Sequence, residues 1–91
     1  MDAWLRCEAV RGVFGDEFIV GIDTPEGRRH LFVDSKSLRP GSGDHCWELK
    51  VEVFSSPYNG NDKLQRVRLP QATIEGSDFA VVKVSDLLSF E

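Results

Sequence analysis

The chain is poor in the features that define several large classes of protein. Only two of its 91 residues are cysteine, Cys7 and Cys46. That is too few for the disulfide framework of a small secreted domain, and two reduced thiols packed as small hydrophobes are expected instead. No apolar run approaches the roughly 20 residues that a membrane-spanning helix needs. The stretch MDAWLRCEAV lacks the basic start and long apolar segment of a secretory leader, so the expected location is cytoplasmic, with no membrane partner. Helical periodicity is missing as well. No window keeps apolar residues at i, i+3, i+4 and i+7 over the ten or more residues that a stable helix wants. Positive charge is in deficit, with 11 Lys and Arg against 15 Asp and Glu and a net charge of −4. This weighs against a general binder of nucleic acid or anionic membrane, whose affinity comes from phosphate contacts, and leaves room only for a local basic patch.

What is present is alternation. In His45–Phe54, Trp47, Leu49, Val51 and Val53 share one side, and Glu48, Lys50 and Glu52 the other. A period of two means a strand with one dry and one wet face. The same pattern runs through Trp4–Val10, where Leu5, Cys7 and Ala9 face one way, and through Glu17–Asp23, with Phe18, Val20 and Ile22 on the dry face. In Arg28–Asp34 the run Leu31-Phe32-Val33 predicts a strand covered on both faces. Lys63–Leu69 and Asp78–Ser85 complete six strands. Thr24-Pro25-Glu26-Gly27 suits a type I turn, with Pro second and Gly fourth. Ser55–Asp62 reads as a polar hairpin loop turning at Asn59-Gly60. Single helical turns are expected near 35–38, capped by Asp34 or Ser35, and near 86–89.

Glu26-Gly27 and Glu75-Gly76 stand 49 residues apart, and at that spacing Val33 meets Val82, Leu38 meets Leu87, and Phe18 and Val20 meet Val67 and Leu69. A three-strand unit cannot bury its dry face alone, so two fused units sharing one core are physically sensible. The expectation is one all-β domain over residues 1–91: a small six-stranded antiparallel barrel or barrel-like sandwich, with one or two short helical turns; the 49-residue spacing fits either an internal pseudo-repeat or the ordinary recurrence of Glu-Gly turns and apolar triplets in small β proteins. Its size and pattern resemble those of SH3-like and OB-like barrels in general.

Chemistry finds little support. Cys7, Cys46, His30 and His45 are the soft or imidazole ligands, and none pairs at the spacing of a zinc knuckle. No metal or other cofactor is therefore expected. A Cys–His nucleophile needs a thiol of lowered pKa beside a base, and neither Cys sits in a visibly electropositive setting. Gly41-Ser42-Gly43 leads into a strand and not into a phosphate-binding helix N-terminus. The chain is not expected to be an enzyme.

Recognition remains. Trp4, Phe14, Phe54, Tyr58 and Phe90 lie at strand ends, in loops or at a terminus, where they either plug the barrel or mark an interface. The first expectation is a non-catalytic protein-interaction module that presents a rigid surface to a protein partner or to itself as a homodimer, with Tyr58, Phe79 and Arg68 as contacts. The second is a barrel that binds single-stranded nucleic acid through Arg28, Arg29, Lys63, Arg66 and Arg68, with bases stacked on aromatic rings. On the alternative reading of Phe79 and Phe32, both rings belong to the core.

Overall fold

A computed structural model of the chain describes residues 1–41, 46–58 and 60–88, without the side chains of 55–58. The strands are β1 (Asp2–Arg11), β2 (Glu17–Thr24), β3 (Gly27–Asp34), β4 (Leu38–Pro40), β5 (Trp47–Tyr58), β6 (Asn61–Arg68), β7 (Phe79–Lys83) and β8 (Leu87–Leu88). Two 3₁₀ turns, Ser35–Ser37 and Val84–Asp86, precede β4 and β8. All pairings are antiparallel, and the sheet curls into a half-barrel. The all-β expectation holds, with the six expected strands in the order β3-β2-β1-β5-β6-β7 and two short additions, β4 on β5 and β8 on β1.

The alternation positions the core as expected. Leu49, Val51 and Val53 of β5 are buried, as are Ala3, Leu5 and Cys7 of β1, and Phe18, Val20 and Ile22 of β2. One buried cluster runs through both ends of the chain, adding Leu31 and Val33 with Val67, Leu69, Ala80 and Val82. At its centre four leucines lie side by side across four strands. Leu38 of β4 faces Leu49 of β5, Leu49 faces Leu5 of β1, and Leu5 faces Leu87 of β8. All four are buried, and each contributes about 1.5–3 kcal/mol by leaving water.

This row is also the centre of the pseudo-repeat. The strand order reads as two three-strand meanders joined back to back at β1 and β5, and each meander ends in a 3₁₀ turn and a short strand that crosses to pair with the other half. The spacing of 49 holds for Val33 and Val82, for the two 3₁₀ turns and for Leu38 and Leu87. It does not hold throughout. Phe18 pairs with Val33 but Gln65 with Val82, so the counterpart of Val20 is Val67, not Leu69, and that of Leu5 is Leu49. The connections between strands differ in length in the two halves, and a constant spacing cannot follow them.

Other differences have local causes. The first 3₁₀ turn is capped by Asp34, whose carboxylate accepts from Lys36 N–H at 3.0 Å, whereas the second starts at Val84, two residues before its expected position and without a side-chain cap. Ser55–Tyr58 continues β5 as strand. The register shifts between Val53 and Pro57, and Gln65 Nε2 donates to Phe54 O at 2.7 Å, so a bulge absorbs a proline that has no N–H to give the ladder. Gly60 takes φ 71° at the hairpin end; Asn59 and His45 lie outside the described residues. Phe32 is not covered on its second face. Its strand lies at the end of the sheet order, and the ring is 45% exposed. Glu48, expected in water, is buried. Arg39 of β4 lies opposite it in register, donates Nε–H to its carboxylate, and carries its guanidinium 4.2 Å from the centre of the Trp4 ring.

The half-barrel is closed by a connection instead of a strand. Thr73 bridges to Leu31, and Ile74 N–H donates to His30 O at 2.8 Å, so residues 73–74 cover the edge of β3. Truncating the central leucine row tests the common core. Leu49→Ala is expected to cost ~2–5 kcal/mol out of a total of order 5–10 kcal/mol, measured by urea denaturation. Val13→Ala, at a side chain 88% exposed, is expected to stay within about 0.5 kcal/mol of the parent.

Candidate functional site

The core residues Val53, Val67, Leu69, Ala80 and Val82 oblige their neighbours in β5, β6 and β7 to point outward. On β6 these are Leu64, Arg66 and Arg68, and on β7 they are Phe79, Val81 and Lys83, matched as Leu64–Lys83, Arg66–Val81 and Arg68–Phe79. Glu52 of β5 faces Arg68, and Phe54 follows on the same side. Among the described residues, no second layer covers this face.

Two aromatic rings meet there. β5 and β7 flank β6, so their backbones stand about 10 Å apart, yet the Phe54 and Phe79 rings lean together over β6 to a centroid distance of 5.6 Å. They remain 37% and 42% exposed. The Arg68 guanidinium lies 5.7 Å from the Phe79 ring centre and 3.8 Å from the Asp78 carboxylate, close enough for a cation–π contribution. Ser77 fixes the backbone at this point. Its hydroxyl accepts from Phe79 N–H at 3.2 Å and donates to Phe79 O at 3.0 Å, so one side chain satisfies both polar groups that the first residue of this end strand turns away from β6.

Beside the rings opens a cleft of about 590 Å³ between the β2–β3 turn, the connection from β6 to β7, and β7 itself. Arg29, Arg66, Glu26, Glu75, Thr73 and Phe79 line it. Its charges are mixed, and Arg29 reaches the Glu26 carboxylate at 3.6 Å.

Of the expected contacts, Phe79 and Arg68 are opposite neighbours on this face, and the side chain of Tyr58 lies outside the described residues, as does Phe90. The basic set is divided. Arg66 and Arg68 share the ring face, and Arg29 stands across the cleft. Lys63 alternates away from Arg66 on β6. Arg28 lies on the outer face of β3, 3.1 Å from Glu8 and 3.4 Å from Asp23, with its pKa raised first by the hydrogen bond to Glu8. It reaches Glu8 across Gly21, where an added Cβ would stand 3.3 Å from the guanidinium nitrogen. Sequence reasoning undervalued Phe54 as a partner for Phe79; its one signal was the apolar neighbour pair Val53-Phe54, which breaks the alternation.

Among the described residues, no group of three or more His, Cys, Asp or Glu is placed to hold a metal ion, and no helix is long and apolar enough to cross a membrane. No protein-family model, curated protein or solved structure matches the chain.

Among the described residues, Cys7 is the one group whose chemistry is strongly altered. Burial, and then the nearby carboxylates of Glu48 and Glu8, push its thiol up to about 12 from an ordinary 9.0, the reverse of activation. The folded chain therefore holds this proton after the unfolded chain has released it, and stability contributed by the neutral thiol is lost as pH rises from about 9 towards about 12. The expected outcome is a steeper fall in urea midpoint between pH 8 and pH 10.5, on the order of 1.4 kcal/mol at pH 10, for the parent than for Cys7→Ala. In a Cys46→Ser background, Cys7 is expected to resist Ellman's reagent at pH 8 until urea unfolds the chain.

Proposed function

We propose that this chain is a non-catalytic, cytoplasmic protein-interaction module whose docking surface is the outer face of β5, β6 and β7. The observation that carries the reading is the Phe54–Phe79 ring pair, held in contact across β6, left without a covering layer and bordered by Arg66 and Arg68. Aromatic side chains and arginine are enriched at protein interfaces and among the residues that dominate binding energy. The rings are preorganised, so a partner that covers them gains apolar burial at little further cost in side-chain entropy. Tyr58, at the end of β5, joins this set on its sequence position.

A second reading follows from the same observation. Rings flanked by arginines on a small β-sheet are also a stacking platform for single-stranded nucleic acid. On this reading Arg29, Arg66 and Arg68 hold the backbone, Lys63 adds charge from the β6 end, and Arg28, between Glu8 and Asp23 on the outer face of β3, stands apart from them.

A tagged chain captured from lysate of its source cell with and without nuclease separates the two. The module reading expects a protein partner that survives nuclease and is lost at least tenfold with the double variant Phe54→Ser and Phe79→Ser, which keeps the parent's circular dichroism spectrum and melting temperature. Unchanged capture by that folded variant overturns the assignment of the face. Material lost on nuclease treatment, with affinity falling steeply as salt rises, places the second reading first.

A further inference from the structure

The pseudo-repeat gives the ring face a counterpart. On the outer face of β1, β2 and β3, Val10 lies opposite Ile19 and Ile19 opposite Phe32, forming an unbroken apolar row across three strands. Val10 is 62% exposed and Phe32 45%, and the adjoining hairpin end carries Val13 and Phe14 at 88% and 73%. In the other half the corresponding positions hold Phe54, Arg66 and Val81. The two faces are thus built on one strand plan but carry opposite borders. Beside the Val10–Ile19–Phe32 row, on the same face, stand Glu17 and Asp34, paired with each other in register, with Asp16 next in the chain. Beside the ring pair stand Arg66, Arg68 and Lys83, a basic majority over Glu52, which lies opposite Arg68, and Asp78, 3.8 Å from it. The position of Asp34 in one half is that of Lys83 in the other.

We infer that the partner of the ring face is a second copy of this chain, docked head to tail. The Phe54–Phe79 face of one copy covers the Val10–Ile19–Phe32 face of the next. This deepens the proposed function, and rests on its assignment of the β5–β7 face. The choice of occupant follows from complementarity: each face leaves aromatic and aliphatic side chains in water, and the acidic border of one matches the basic border of the other, which favours unlike faces and opposes like ones. Such an interface is heterologous. Each copy offers one free face of each kind, so assembly closes into a ring or continues as a chain.

The test is complementation between two full-length variants, each blocked on one face. Phe32→Ser blocks the acceptor face and Phe79→Ser the ring face; circular dichroism and melting confirm that both fold. By sedimentation velocity over ~10 µM to ~1 mM, the parent is expected to rise in mass from 10.2 kDa to multiples above the dimer, while each variant stays monomeric. Mixed one to one, the variants are expected to form a dimer and nothing larger, because one intact interface survives. Adding Arg66→Glu to Phe32→Ser is expected to weaken that dimer at least tenfold, and pairing it with Phe79→Ser carrying Glu17→Arg to restore it in part. A parent that stays monomeric to ~1 mM, or variants that do not complement, overturns the self-association. In that case, capture of a different protein that Phe54→Ser with Phe79→Ser abolishes leaves the module reading standing, whereas loss of both leaves neither.

Discussion

The pairing of β1 with β5 is the constraint on which the rest of the structure depends. Neither meander has a second layer of its own, and each acquires one only when these two strands join. Leu5 opposite Leu49, extended by Leu87 and Leu38, is the point at which the halves become one hydrophobic unit. The strands that complete the row are exchanged: β4 belongs to the first half but lies on β5, and β8 belongs to the second but lies on β1. This crossing explains why each meander ends in a tight 3₁₀ turn. The turn reverses the chain at the edge of its own half and delivers a leucine to the other.

Polar interactions then orient what the leucines hold. Arg39 reaches the buried Glu48 only because β4 lies beside β5, and it continues over Trp4. The carboxylate is thereby paired, as burial of a charge requires. Phe18 and Trp47, 5.4 Å apart, pack one end of the core. At the open side no strand among the described residues joins β3 to β7. The Thr73–Ile74 backbone covers one edge and the Ser77 hydroxyl caps the start of the other, which limits the exposed ladder groups that would invite indiscriminate strand pairing.

Among the described residues, a single curved sheet forms the whole fold and no second layer covers its convex side. Its concave side is filled, so whatever apolar side chains fall on the convex side meet water. Most outward positions are charged or polar, as solubility demands. Among the described residues, apolar patches around Phe54 with Phe79 and around Ile19 with Phe32 lie on corresponding faces of the two halves and differ in the balance of charge beside them, acidic at Glu17 and Asp34 and predominantly basic at Arg66, Arg68 and Lys83. Two halves built on one strand plan but differing in their surface residues present two faces of similar shape and opposite border charge, the pair that the proposed head-to-tail docking requires.

Period-two alternation, interrupted by Gly, Pro, Asn and Asp, by itself determined the strand positions, the dry faces of β1, β2 and β5, and the all-β class, because side chains on a strand alternate whatever the strand pairs with. The 49-residue spacing of Glu26-Gly27 and Glu75-Gly76 pointed to a repeat, and Phe79 and Arg68 stood with Tyr58 among the expected contact residues. Strand order was decided only by tertiary structure, since antiparallel ladders are non-local and many partners satisfy the same alternation. So was the exact equivalence of the halves, which follows register and not a constant spacing. The burial of Glu48, the exposure of Phe32 and the meeting of Phe54 with Phe79 depended on which strand came to lie alongside and whether any layer covered the other face. The basic residues divided for the same reason: adjacent residues such as Arg28 and Arg29 point to opposite sides of a strand, and proximity along the chain does not make them one site.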